Sequence, residues 1–201
     1  KGRDFIVGDL HGCYDLLILQ LEELSFDFES DRIFCCGDLI DRGLKAYECL
    51  MLMYEPWFFS VRGNHEQMMI DAIIDGFGEE NWFYNGGLWS TAYDVGEMKT
   101  LAQETDYLLP HQIEIQMDDG RKIGIVHADV GEEWQALCGD KLVACLWDRS
   151  RIKGAYGCWV KGVDHMYVGH TPTEEKVTIG NVHYMDSGAV WSGRLRIEEL
   201  K

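Results

Sequence analysis

At 201 residues, 46% of them apolar and 26% charged, the chain has the make-up of one water-soluble globular domain with a sizeable core. Eighteen Lys and Arg against 35 Asp and Glu leave a formal net charge of −17, which argues against nucleic acid, itself a polyanion, as a partner. There is no run of about 18 apolar residues of the kind that crosses a bilayer, no signal peptide and no low-complexity tract, and the seven cysteines lack a CxxC spacing, a pattern that predicts a reducing cytoplasm without structural disulfides.

The first third of the chain alternates. Phe5-Ile6-Val7 is a short apolar run ending in Gly8-Asp9, and residues 14–24 place Leu16, Leu17, Leu21 and Leu24 at helical spacing. A second strand, 32–36, ends in Gly37-Asp38, and a helix is predicted over 44–54. A third strand, 57–61, ends near Gly63-Asn64 and precedes a helix over 65–75. This β-α-β-α-β-α order predicts parallel strands joined by crossover helices. Residues 76–110 are less legible: an aromatic, glycine-rich segment, then a helix over 98–108 that stops at Pro110. Strands follow at 111–117 and 122–127 around an Asp118-Asp119-Gly120 turn, then at 166–170, 176–186 with a turn at Gly180-Asn181, and 193–200. No linker or repeat interrupts the chain, so residues 1–201 read as a single domain.

In a parallel α/β sheet, ligands bind beyond the carboxyl ends of the strands. Along that edge the sequence delivers Asp9 and His11, then Asp38, then Asn64 and His65, and later His127 and His170. Taken singly, each has an ordinary use; Asn64 after Gly63 reads as a helix N-cap. Together they form an oxygen and imidazole donor set suited to Zn, Mn or Fe, and close carboxylates in a dry crevice are costly without a cation. Six donors exceed the four of a structural zinc site, which points to two ions roughly 3.5–4 Å apart with a bridging water between them, and to His65 beside them as an acid.

The motifs GDLHG (8–12), GDLIDRG (37–43), RGNHE (62–66), NGG (85–87), HAD (127–129), GHTP (169–172) and MDSGAV (185–190) resemble those of the phosphoprotein phosphatase branch of the calcineurin-like metallophosphoesterases, in its phage lambda-type and bacterial form. The agreement runs through most of the chain and is weakest over 88–110 and 129–145. The resemblance implies an α/β fold, a four-layer α/β/β/α sandwich of two mixed sheets flanked by helices, and two divalent ions, Mn²⁺ first, with Fe or Zn as alternatives. Asp9, His11 and Asp38 would hold one ion; Asp38, Asn64, His127 and His170 would hold the other, with Asp38 bridging. Arg42, Arg149 and Asn64 would bind phosphate, and Arg149 is preferred to Arg151. His65 would be the general acid, oriented by Asp41. Arg62 and Glu66 read as a structural ion pair. Trp82, Phe83, Tyr84, Leu88 and Trp89 read as packing, and His111, His165 and His183 as ordinary. The implied reaction is hydrolysis of phosphoserine and phosphothreonine in proteins or peptides, extending to phosphotyrosine, by a metal-bridging hydroxide. It would run in the cytoplasm (a host's, if phage-encoded), with no membrane partner and no regulatory subunit. Two readings compete: a symmetrical dinucleoside tetraphosphate hydrolase, and a non-catalytic metal-binding scaffold, which would have eroded ligands.

Overall fold

The computed structural model describes residues 2–155 and 157–201. Two mixed sheets stack face to face. The first has the order β3-β2-β1-β9, built from β1 (Asp4–Val7), β2 (Arg32–Cys35), β3 (Phe58–Ser60) and β9 (Ile197–Leu200). The first three strands run parallel, as the opening βα alternation suggested, and β9 runs antiparallel to β1, which makes the sheet mixed as expected. The second has the order β4-β5-β6-β8-β7, from β4 (Gln112–Gln116), β5 (Lys122–Val126), β6 (His165–Val168), β7 (Val177–Ile179) and β8 (Val182–Tyr184). Within it β5, β6 and β8 are parallel.

Side chains alternate across each strand, so each sheet has two apolar faces to cover. Ile6 and Phe34 of the first sheet meet Ile115, Ile123, Ile125 and Tyr167 of the second. Phe5, Val7, Ile33 and Cys35, one residue out of step, face Leu17 and Leu21 of α1 (Tyr14–Glu23), Leu50 of α2 (Ala46–Met51), Met69 of α3 (Asn64–Ile70) and Leu101 of α5 (Val95–Leu108). On the outer face of the second sheet, Val126, Met166, Val168 and Val182 pack against Val130, Val160 and Val163. Each fully buried Ile, Leu or Phe contributes about 1.5–3 kcal/mol, so these layers hold the carboxyl ends of the two sheets' parallel strands together.

Several boundaries differ from the sequence expectation. The helix expected over 44–54 is α2 followed by a 3₁₀ turn, Leu52–Tyr54, and that over 65–75 is α3 running into a π turn, Asp71–Asp75. The expected 98–108 helix starts at Val95 because the Asp94 carboxylate accepts the amide hydrogens of Gly96 and Glu97. The glycine-rich segment contains α4 (Glu79–Tyr84) and a 3₁₀ turn, Gly87–Ala92. A short helix, α6 (Asp140–Trp147), was not anticipated. The 176–186 run is the β7–β8 hairpin, turning at Gly180-Asn181, and the last strand starts only at Ile197, after α7 (Ala189–Ser192). No helix among the described residues is long and apolar enough to cross a membrane.

Candidate active site

The strand ends deliver their polar residues to one buried cluster. Asp9, His11, Asp38, Asn64, His65, His127 and His170 are all buried. Asp38 lies centrally: its Oδ2 is 3.4 Å from His11 Nε2, 3.4 Å from His127 Nε2 and 3.9 Å from His65 Nε2. Two groups have donor atoms close enough to share a cation, His11 with Asp38 and His65, and Asp38 with His127 and His170. Asp9 stands beside them, its carboxylate accepting the His170 amide hydrogen at 2.9 Å. Asn64 opens α3, but Gly63 is the N-cap residue, so the capping use of Asn64 gives way to another. Its Oδ1 lies 2.8 Å from His127 Nε2 and 2.9 Å from His170 Nδ1. A Cβ on Gly63 would overlap Asp38 Oδ1, so only glycine lets the α3 terminus approach that carboxylate.

In three of the four imidazoles the outer nitrogen is anchored to a backbone carbonyl. His11 Nδ1 donates to Ile40 O at 2.9 Å, His127 Nδ1 to Cys36 O at 2.8 Å, and His170 Nε2 to Trp147 O at 3.2 Å. These bonds fix the tautomers so that lone pairs point inward. Burial pushes His11 and His170 down to about 3, and lowers His127 as well, so all three are neutral at physiological pH. Burial works against the Asp38 carboxylate, and it is the charged forms of His127, His65 and His11, which His11 and His127 adopt only in acid, that lower it below the usual range. His127 Nε2, His170 Nδ1 and Asn64 Oδ1 are thus acceptors facing acceptors, an arrangement that repels unless a cation lies among them. The donor set fits a divalent ion on that ground. Backbone strain gathers here too: His11, Asp38, Asp41, Arg42 and His170 have φ between 41° and 70°, left-handed conformations that surrounding structure must hold in place.

Two guanidinium groups border the cluster. Arg42 donates to His11 Nε2 at 2.6 Å and to His65 Nε2 at 2.8 Å. Arg149 donates to the His170 carbonyl at 3.0 Å and is exposed. Arg151, the rejected alternative, is buried and paired with Asp129 at 2.9 and 3.0 Å. Asp41 accepts from His65 Nδ1 at 2.6 Å. Burial opposes a charge on His65, but Asp38 and Asp41 outweigh it and raise its pKa.

The expected Arg62–Glu66 ion pair does not form. Arg62 precedes α3 and turns to Asp106 of α5 at 2.7 Å and to Gln67 Oε1 at 2.9 Å. Glu66 instead accepts amide hydrogens from Gly63, Asp38, Leu39 and Ile40, tying the α3 terminus to the loop after β2. Three residues at the site escaped the sequence reading. Asp186, just past β8, is a buried carboxylate that burial, then the nearby Asp38, push up to about 6; the strand-end rule that found Asp9 reaches it as well. Trp82 and Trp89, read as packing, both donate their indole hydrogen to Asp41.

The profile of the calcineurin-like phosphoesterases matches residues 5–174. The chain belongs to the calcineurin-like phosphoesterases. This phosphoesterase is 37% identical to serine/threonine-protein phosphatase 1 of Salmonella typhimurium, over 98% of its own length and 91% of the relative's. It is 27% identical to a symmetrical bis(5'-nucleosyl)-tetraphosphatase of Xylella fastidiosa, over 94% and 85% of the two chains. Its fold superposes on the crystal structure of a protein assigned only provisionally as a diadenosine tetraphosphatase, with a TM-score of 0.73 at 20% identity, covering 99% of this phosphoesterase and 89% of the neighbour.

Proposed function

We propose that this phosphoesterase is a metal-dependent protein phosphatase that hydrolyses phosphoserine and phosphothreonine, and phosphotyrosine as a secondary substrate, in the cytoplasm. The observation that carries the reading is the pair of donor groups sharing Asp38, with Arg42, Arg149 and an Asp41–His65 pair around them. The choice of a protein substrate rests on the relative named a serine/threonine-protein phosphatase, which matches over nearly both whole chains.

Asp9, His11 and Asp38 are the proposed holders of one divalent ion, and Asp38, Asn64, His127 and His170 of the other, with Mn²⁺ the favoured metal and Fe or Zn the alternatives. Such ions, when bound, supply Lewis acidity to an attacking water and neutralise phosphoryl charge. The remaining work belongs to side chains. Arg42 and Arg149 offer planar forks that match phosphoryl oxygens. Arg42 currently spends its hydrogens on the Nε2 lone pairs of His11 and His65; once it turns to phosphate, His65 Nε2 is free to carry a proton. That proton then goes to the departing serine oxygen, while Asp41 holds Nδ1 and favours the imidazolium.

The test compares a phosphoserine peptide, a phosphotyrosine peptide and a symmetrical dinucleoside tetraphosphate on metal-stripped protein, with Mn²⁺, Fe²⁺ and Zn²⁺ restored separately. Fastest turnover of the phosphoserine peptide after Mn²⁺ is the expected result. Preference for the dinucleotide would replace the substrate assignment, and undiminished turnover by protein shown to be metal-free would refute the mechanism.

A further inference from the structure

We infer that Trp82 and Trp89 are positioning residues: their indole N–H groups lock the Asp41 carboxylate so that His65 presents Nε2 to the departing oxygen. Asp41 is fully buried, and its side-chain hydrogen-bond partners among the described residues are all donors. His65 Nδ1 donates to Oδ2 at 2.6 Å, Trp89 Nε1 to Oδ1 at 2.7 Å, and Trp82 Nε1 to Oδ2 at 3.0 Å and Oδ1 at 3.2 Å. Each carboxylate oxygen therefore has one principal partner, and Trp82 straddles both. The two indole planes are perpendicular, with ring centroids 6.4 Å apart, so rotation of the carboxylate breaks at least one of these bonds. Indole nitrogen is a donor only. Both rings can fix Asp41 without taking up the proton that His65 must pass on.

Packing alone does not require two tryptophans to aim their nitrogens at one carboxylate. The backbone between them is fitted to the same loop. Gly86 has φ 116°, and a Cβ there would lie 2.6 Å from the Arg42 amide nitrogen. A Cβ on Gly87 would lie 2.5 Å from Cε2 of Trp82. Residues 82–89 thus press directly on the Asp41-Arg42 step, which carries both the partner of the acid and a phosphate-binding arginine.

The inference rests on the reading of His65 as the acid, and the experiment separates the two. Trp89→Phe and Trp82→Phe remove one donor each and keep an aromatic ring; Trp89 is only half-buried, so its variant carries the test if the Trp82 variant folds poorly. The readout is the ratio of kcat for a phosphoserine peptide to kcat for nitrophenyl phosphate, measured with metal content verified. Any loss of active protein cancels in this ratio. A leaving group that needs little protonation depends little on the acid, so the ratio is expected to fall about tenfold, a fraction of the 10²–10⁴ that general acid catalysis typically supplies. In a His65→Asn background, Trp89→Phe should change the ratio no further. An unchanged ratio in the tryptophan variants, with a reduced one in His65→Asn, would overturn the positioning role alone. An unchanged ratio in His65→Asn would overturn the acid assignment and the inference with it.

Discussion

Arg149 and Arg151 lie two positions apart in different surroundings, and on the proposed assignment Arg149 binds phosphate while Arg151 serves stability. Arg149 is exposed beside His170, so Arg149→Ala should weaken inhibition by inorganic phosphate about tenfold, the worth of a hydrogen bond to a charged group, and leave the melting temperature unchanged. Arg151 is buried on Asp129 and also reaches the carbonyls of Gly131 and Gly157. Arg151→Ala should therefore cost about 3–5 kcal/mol by stranding a buried carboxylate, seen as a lower denaturant midpoint. The reverse pattern would exchange their roles. At His65, replacement by Asn should lower kcat on a phosphoserine peptide about 10²–10⁴-fold while metal content holds. Loss of an ion, measured by elemental analysis, would make His65 a ligand, as its membership of a cation-sized group with His11 and Asp38 allows.

Among the elements, the second sheet carries a histidine pair outside the proposed metal-binding cluster. His165 of β6 and His183 of β8 meet at 2.9 Å, His183 also contacts Thr178 of β7 at 3.3 Å and stacks on Tyr167, and Glu198 and Lys176 lie near. Burial, then the neighbouring His165, push His183 down to about 4. As pH falls below about 6.5, the unfolded chain takes up this proton before the folded one. The stability contributed by neutral His183 is therefore complete above that pH and is lost as pH falls through 4. Metal-free His183→Gln should lose less stability between pH 7 and pH 4 than the metal-free parent, read from urea midpoints; equal losses would show that His183 does not titrate in this window. Sequence reading treated both histidines as ordinary, because their meeting depends on the pairing of β6 with β8, which local pattern does not specify. The Arg62–Glu66 expectation failed for a related reason. Four residues apart, they would face each other on one helix, but α3 starts between them, and Arg62 leaves toward α5.

Across the whole molecule, the strand-end residues were legible because βα alternation dictates which edge they share, whatever the lengths of the helices. Asp9, Asp38, Asn64, His127 and His170 each follow a strand closely, and the fold brings them within one cluster. The glycine-rich segment was illegible because its aromatic residues serve two purposes at once: Trp82 is a core residue by burial and a donor to Asp41 by its nitrogen. Hydrophobicity reports only the first. Helix α6 escaped because it spans eight residues and buries only Cys145 and Leu146 fully. The same cluster sets a global expectation. Asp9, Asp38 and Asp186 are buried together in a chain of net charge −17, so divalent cations should stabilise the folded state by about 2.7 kcal/mol at a free concentration one hundred times the dissociation constant. Thermal melting across a Mn²⁺ titration measures this, and a concentration-independent midpoint would contradict it.

The contact between Arg42 and His11 makes the guanidinium and a cation rivals for one lone pair. On the proposed assignment, an ion held by His11 would release Arg42 for phosphate, and phosphate drawn to Arg42 would leave His11 free for the ion. Part of the linkage between metal and phosphate binding should then belong to this single side chain, and by reciprocity it must have the same size whichever ligand is titrated first. In Arg42→Ala that cooperativity should shrink, while the affinity for Mn²⁺ in the absence of phosphate should rise.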